Sequence, residues 1–349
     1  MTPQPVPPTW FAAALADCVE GRDLDAERMH ELMRGVLVGT CAEAEVAALL
    51  IALRMKGETA EELAAAAEVM REFMIPLETG RDDVLDTCGT GGDGSRTFNI
   101  STATALVAAG AGVPVVKHGN RAVSSRTGSA DVLTALGVAV GSDAADCRRS
   151  LDHAGMAFCF APSFHPALKH VGGVRRRLGV RTIFNALGPL ANPARAPYQL
   201  LGVGRPEWLD RMAAALARLG IRHAFLVCGR DGLDEVTLSS ATLVREVRGS
   251  TVTIHEWTAR DFGLEPCKLD DLRVTTPEES AALIRSVLAG QAGPALRIVL
   301  ANVAAALLAA ERVGSLGEGV ARAEDSIQSG RARRVLERLV DGGVETGNC

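Results

Sequence analysis

A glycine-rich turn, Asp86-Thr87-Cys88-Gly89-Thr90-Gly91-Gly92-Asp93-Gly94, stands between the strand-like run Val84-Leu85 and a helix-like stretch that starts at Asn99. Strand, glycine turn and helix in that order commit the segment to an α/β arrangement, with the turn at the C-terminal end of a strand. Glycines let a backbone approach an anion and take positive φ, and the free N–H groups of the following helix start point partial positive charge at it. The string fits G-x-G-x-x-G through Gly89, Gly91 and Gly94. A dinucleotide site also needs an acidic residue roughly 20 residues on, at the end of the next strand. Here the next strand-like run, Val113-Pro114-Val115-Val116, leads into Lys117-His118-Gly119-Asn120-Arg121, a basic end suited to more phosphate. No Lys-Ser/Thr pair follows the glycines, so the P-loop pattern fails as well.

Around this turn the chain has two grammars. From Trp10 to about Ile75 the apolar spacing is helical, with Leu24, Met29, Leu32, Met33 and Val36 on one stripe and Val46, Leu49, Leu50 and Leu53 on another. Capping boxes are expected at Thr40 with Glu43 and at Thr59 with Glu62, and Gly57 is placed to stop the helix between them. After Pro76, strand-like runs at 84–86, 113–116, 157–160, 200–203 and 224–228 alternate with helical lengths, the pattern of a parallel sheet. The stretch 166–180 reads as helix and interrupts the alternation. Val236 to His255 reads as an antiparallel hairpin around Arg248-Gly249-Ser250, and Ile298 to Ala310 as buried helix. The expected fold is α/β: a small N-terminal helical domain (1–78, joined by 163–186) and a larger domain (79–162 and 187–349) with a mainly parallel central sheet.

Composition narrows the partners. With 349 residues, 47% of them hydrophobic and only 4% aromatic, the core must be built from Ala, Val, Leu and Ile, which suits close-packed helices and buried parallel strands. A net charge of −5 offers no field for nucleic acid, so a basic cluster in this chain points to a small anion. The eight cysteines lack a C-x-x-C and several lie in apolar runs, as reduced core thiols of a cytoplasmic protein would. The proline-rich start, Met1 to Pro8, lacks the charged and apolar segments of a signal peptide, and no apolar stretch is long enough to span a bilayer.

Four further segments carry chemistry. Lys117 to Asp131 supplies cations, hydroxyls and small residues in one loop, and Lys117 is one of only four lysines, so its place at a strand end favours phosphate binding over a solvated charge. Asp231-Gly232-Leu233-Asp234-Glu235 follows the run Ala224–Cys228. It reads either as a surface turn or as the one or two carboxylates that Mg²⁺ takes beside phosphate oxygens. Of Arg175-Arg176-Arg177, helical spacing lets only some face a cleft, where a guanidinium would grip a carboxylate. Thr97 to Thr102 supplies an N-cap whose hydroxyls would face the same anion. His165 reads as structural, His170 stays undecided, and no nucleophile turn is present.

Taken together, Gly89-Thr90-Gly91-Gly92-Asp93, Lys117 to Ser125, Gly128-Ser129-Ala130-Asp131 and Asp234-Glu235 resemble the motifs of the anthranilate phosphoribosyltransferases. The resemblance extends over nearly the whole chain, through Phe160-Ala161-Pro162, His165-Pro166-Ala167, Val180 to Asn185 and Gly188 to Pro193. It implies a nucleoside phosphorylase/phosphoribosyltransferase-like fold and, in tryptophan synthesis, the reaction of anthranilate with 5-phosphoribosyl 1-diphosphate to give N-(5-phosphoribosyl)anthranilate and diphosphate. By this resemblance Gly89, Gly92, Asp93, Thr97, Asn99, Ile100, Ser101, Thr102, Lys117, His118, Gly119, Asn120, Arg121, Ala122, Val123, Ser124, Ser125 and Ser129 hold the phosphoribosyl diphosphate. Ser101, Asp234 and Glu235 carry Mg²⁺; Gly89, Asn120 and Arg175 position anthranilate. A homodimer through the helical domain is implied too, with no membrane or nucleic-acid partner. Two positions depart from the family pattern, Phe164 before His165 and the pair Arg126-Thr127, and neither is a ligand position.

Two rival readings differ in class. A pyrimidine nucleoside phosphorylase shares the first glycine loop, but Lys117 to Ser125 and the Asp-Glu pair argue against it. A nonenzymatic relative that binds nucleic acid conflicts with the acidic net charge.

Overall fold

The computed structural model describes residues 9–121 and 128–342. The proline-rich start and, in the second loop, Ala122, Val123, Ser124, Ser125, Arg126 and Thr127 lie outside the described residues.

Four helices open the chain, Thr9–Val19, Ala26–Val38, Glu43–Lys56 and Ala60–Glu72. Both expected stripes face inward: Met29, Leu32, Met33 and Val36 share one core with Val46, Leu49, Leu50 and Leu53. Gly57 ends the third helix, and Thr59 caps the fourth by accepting from Glu62 N at 3.1 Å while Glu62 accepts from Thr59 N at 2.8 Å. The box expected at Thr40 does not form. Thr40 donates its hydroxyl to Gly35 O, and the helix begins at Glu43 with Glu45 accepting from Ala42 N, because the left-handed Gly39 has already turned the chain out of the preceding helix.

A sheet of seven strands follows, β1 (Leu85–Gly89), β2 (Val115–Gly119), β3 (Met156–Phe160), β4 (Tyr198–Gly202), β5 (His223–Gly229), β6 (Thr242–Arg248) and β7 (Thr251–Trp257), in the order β3-β2-β1-β4-β5-β6-β7. β1 to β5 are parallel, with Leu85 opposite both Val115 and Tyr198; β6 and β7 are antiparallel additions. The hairpin turn is at Gly249-Ser250, as expected, but residues 236–241 precede it as irregular chain. Period-two alternation splits each buried strand between two cores. Tyr198, Leu200, Phe225 and Val227 pack under the helices Ile100–Gly110 and Pro294–Ala309. Leu201, Ala224, Leu226 and Cys228 pack on the opposite face with Leu209–Arg218 and Ala60–Glu72.

The interrupting stretch is a short 3₁₀ turn followed by the helix Lys169–Leu178, which packs on Ala26–Val38 and Glu43–Lys56. One boundary differs in a way that matters. β2 runs through Lys117, His118 and Gly119, so these residues belong to the strand and not to a loop after it. Because β1 is flanked by β2 on one side and β4 on the other, the strand order reverses beside it, and α/β crevices open at such a reversal. Among the described residues no helix is long and apolar enough to cross a membrane, and all seven cysteines are free, six of them buried.

Candidate active site

The glycine turn leaves β1 where the strand order reverses. Gly91 and Gly92 have φ of 64° and 69°, a region that L side chains avoid. Thr90 N donates to Gly202 O at 2.9 Å, and Gly204 N donates to Thr90 Oγ1 at 3.0 Å, which ties the turn to the end of β4. From the segment after β5, Asp234 Oδ2 accepts from Gly91 N at 2.9 Å across 143 residues of sequence. The absence of side chains permits that approach: a Cβ on Gly89 would lie 2.8 Å from Asp234 Oδ2, and one on Gly202 would run into the Asp234 carbonyl. Of the two readings of this segment, each holds for part of it. Asp231 and Gly232 form the turn, with Asp231 accepting from Leu233 N and from Thr237 Oγ1, while Asp234 and Glu235 turn inward.

Three carboxylates gather here. Asp234 N donates to Asp93 Oδ2 at 3.4 Å. Burial, and then the Asp93 carboxylate, push the Asp234 pKa up to about 7, against the pull of the Gly91 N–H and Arg181. Glu235, 9% exposed, is pushed well above the usual carboxylate range by burial and by Asp234, with Lys117 and the Ser101 N–H opposing. Asn99 caps the helix Ile100–Gly110, its Oδ1 accepting from Thr102 N at 3.0 Å and from Ser101 Oγ at 3.3 Å. Ser280 Oγ fixes this helix start by accepting from Asn99 N at 2.9 Å.

Lys117 is 2% exposed, and its ammonium donates to Thr87 O and, at 3.0 Å, to Ser101 Oγ. Burial pulls its pKa down, and the Asp86 carboxylate pulls the other way. It is therefore buried within β2 beneath the helix start, and not part of a loop that follows the strand, where the sequence reading placed it as a phosphate-binding group. Asp86 is fully buried; burial raises its pKa, while Asn192 and Lys117 lower it. His118 points to the other face of the sheet, where Nδ1 lies 3.1 Å from Gly188 O and the ring stands 5.0 Å from that of His165. Burial drops these imidazoles to about 3 and about 4, so both are neutral near pH 7.

The remaining expected residues are spread around this centre. Ile100 and Thr102 are buried in the core, with their N–H groups donated to Phe98 O and Asn99 Oδ1. Thr97 Oγ1 lies 3.4 Å from Ser95 Oγ. Gly119 and Asn120 lead to Ser129, whose Oγ donates to Asn120 O at 3.4 Å, and Arg121 pairs with Asp131 at 2.9 Å. Arg175 is half-buried with its guanidinium 5.2 Å from the centre of the Phe184 ring, while Arg176 and Arg177 are exposed. Among the described residues Arg175 has no ion-pair partner, and burial draws its pKa down. His170 packs against Gly39 in the helical layer. Two contributors escaped the sequence reading: Asp86, and Arg181, which donates to Gly91 O and, at 3.2 Å, to Thr90 O. Arg181 follows the helix-ending Gly179 with no spacing signal to mark it.

The assembled groups bring the glycine turn, the Ser101 hydroxyl and the Asp93, Asp234 and Glu235 carboxyls together, with Lys117 and Arg181 as the neighbouring cations. Residues 81–333 match the Glycosyl transferase family, a/b domain, and residues 12–74 match the Glycosyl transferase family, helical bundle domain. Anthranilate phosphoribosyltransferase of Thermomicrobium roseum is 51% identical over 333 residues, which is 94% of this chain and 96% of that one. Among solved structures, the anthranilate phosphoribosyltransferase of Thermus thermophilus superposes with a TM-score of 0.88 at 44% identity, covering 94% of this chain and 98% of that chain. The Saccharomyces cerevisiae enzyme in complex with PRPP and Mg gives 0.88 at 29% identity, covering 96% and 98%.

Proposed function

The chain belongs to the anthranilate phosphoribosyltransferase family, and on that premise we propose how its own residues carry the family's reaction. It transfers the 5-phosphoribosyl group from 5-phosphoribosyl 1-diphosphate to the amine of anthranilate, giving N-(5-phosphoribosyl)anthranilate and diphosphate, a step of tryptophan synthesis. The observation that carries the assignment of roles is the Gly91 to Asp234 hydrogen bond. It brings the glycine turn of β1 and the carboxylates after β5 to one point above the start of the helix Ile100–Gly110.

In this reading the aromatic amine attacks the anomeric carbon, the bond from that carbon to the diphosphate oxygen breaks, and the electron pair leaves with diphosphate. The arylammonium formed is acidic enough to lose its proton without a side-chain base. The chain's task is to position two substrates and to neutralise charge. Gly89, Gly92, Asp93, Thr97, Asn99, Ile100, Ser101, Thr102 and Ser129, with the stretch Lys117 to Ser125, of which 122–125 lie outside the described residues, hold the phosphoribosyl diphosphate. Within this set Lys117 acts from below, by holding the Ser101 hydroxyl, and His118, Ile100 and Thr102 contribute backbone and packing. Arg175, half-buried and without a carboxylate partner, grips the anthranilate carboxylate beside Gly89 and Asn120. Asp234, Glu235 and the Ser101 hydroxyl form a donor set of hard oxygens that fits Mg²⁺, which takes one or two protein carboxylates and fills its other positions with water and phosphate. Bound Mg²⁺ stabilises the negative charge that accumulates on the departing diphosphate.

The division into 1–78 with 163–186, and 79–162 with 187–349, is supported by the seating of Lys169–Leu178 on the N-terminal helices. A homodimer through the helical layer is supported by its exposed Val19, Val38 and Met55. A cytoplasmic location accords with the seven free thiols. The deciding experiment follows anthranilate fluorescence and diphosphate release together after addition of 5-phosphoribosyl 1-diphosphate and Mg²⁺. Equal loss and release, abolished by EDTA, is the expected result. A folded protein that binds the diphosphate yet leaves anthranilate unconsumed would overturn the reading.

A further inference from the structure

Where the helical layer meets the C-terminal ends of β1 and β4, a cavity of about 290 Å³ is lined by four arginines, Arg54, Arg181, Arg205 and Arg211, together with Glu58 and Trp208. None of Ser101, Lys117, Arg175, Asp234 or Glu235 lines it. Thr90 and Arg181 line it from the glycine turn, so the cavity shares that turn with the candidate active site, with Asp234 taking the turn's N–H on one side and Arg181 its carbonyls on the other.

The charges in the cavity are not balanced. Arg54 donates to the Arg181 carbonyl, and Arg205 lies 3.9 Å from Glu207. Arg211 extends over Gly57 and, among the described residues, has neither a hydrogen bond nor an ion pair within 4.0 Å. Four guanidiniums line the cavity with two carboxylates, Glu58 and Glu207; Arg181 is also held by the turn carbonyls and faces Asp93 and Asp234, so the positive excess is carried by Arg54, Arg205 and Arg211. Glu58 adds an independent requirement. It is 4% exposed, and among the described residues its buried Oε1 has no hydrogen-bond partner, a state that is costly unless a donor arrives. An occupant that fits this lining therefore is an anion that carries at least one hydroxyl. A phosphate dianion meets both conditions, and guanidinium forks match its oxygens.

We propose that this cavity is a second anion site for a phosphate dianion, free or as the monoester of a small hydroxylated molecule, with Arg205 and Arg211 on its oxygens and Glu58 accepting from its hydroxyl. The site stands apart from the transferase reading and does not depend on it.

Trp208 is one of three tryptophans and reports on the cavity directly. The full-length protein is titrated with inorganic phosphate and with ribose 5-phosphate at constant ionic strength, and tryptophan fluorescence is recorded. A saturable change is expected that disappears in Trp208→Phe. In Arg211→Ala the affinity should fall by about tenfold or more, with thermal midpoint and phosphoribosyl transfer retained. Equal affinity for the two probes identifies free phosphate as the ligand; tighter ribose 5-phosphate binding, with the advantage lost in Glu58→Gln, identifies a monoester. Unchanged binding in Arg211→Ala, or abolition of the signal when 5-phosphoribosyl 1-diphosphate and Mg²⁺ fill the catalytic cleft, would overturn the proposal.

Discussion

At the scale of single residues, the site works by putting charges where water cannot screen them. Arg175 illustrates this, half-buried against Phe184 while Arg176 and Arg177 of the same run are exposed. Helical spacing alone showed that the three could not face one way, and the resemblance selected Arg175. Its substitution separates the substrates: Arg175→Ala should raise the KM for anthranilate about 10- to 100-fold, the worth of a charge-assisted hydrogen bond, and leave the KM for the phosphoribosyl donor within about twofold. Steady-state kinetics with each substrate varied in turn decide it, and equal losses for both would remove Arg175 from the anthranilate pocket. Lys117 shows the limit of sequence reading at this scale. A lysine after an apolar run looks like the start of a loop, because burying it is costly until partners are known. Those partners, Thr87 O, Ser101 Oγ and the Asp86 charge, come from β1 and from the helix Ile100–Gly110, and no local pattern announces them.

At the scale of elements, the periodicities transferred well and the caps only in part. The Thr59 box formed because Glu62 is held from several sides: its carboxylate also accepts from Leu24 N at 2.8 Å and from Lys56 Nζ at 2.9 Å in a setting where Glu62 is 0% exposed. Thr59→Ala should cost about 1 kcal/mol, the usual value of an N-cap, whereas Glu62→Ala should cost roughly 3–5 kcal/mol, because it leaves the Leu24 and Thr59 N–H groups without an acceptor and takes one of two carboxylates from the buried Lys56 ammonium. Urea unfolding of the two variants would show that ordering, and similar costs would contradict it. The faces of β2 carry a second consequence. His118 and His165, held neutral at about 3 and about 4, titrate near 6.5 in the unfolded chain. Their folded pKa values lie below the unfolded ones, so acid protonates the unfolded state first. Stability should be level above about pH 7.5 and decline as pH falls from about 6.5 toward 4, by about 2 kcal/mol per imidazole at pH 5. Unfolding midpoints at pH 7.5 and 5.0 should differ less for His165→Gln than for the native chain; identical differences would show that the ring is not held neutral.

At the scale of the whole molecule, the residues proposed for the reaction stand on two packed layers. The glycine turn and carboxylates stand on the sheet, and Arg175 stands on a helix seated against the N-terminal helices. Binding both substrates should draw these together, since the anthranilate carboxylate and the diphosphate must be gripped at once. Small-angle scattering should therefore record a smaller radius of gyration with both substrates than with neither, and unchanged dimensions would mean that the cleft is already closed.

The sequence by itself determined the two-part α/β architecture, the parallel strands and their approximate positions, and the glycine turn at the end of β1. These depend on local periods and on glycine, whose effects act within a few residues. Only the tertiary structure decided that Lys117 is buried, that His118 points to the sheet face opposite Lys117, that Asp231 closes a turn while Asp234 meets the glycine turn, and that Arg181 clamps that turn. Each of these turns on which groups meet across long stretches of chain. The free energy of a buried charge or polar group is set by that meeting and not by its neighbours in sequence.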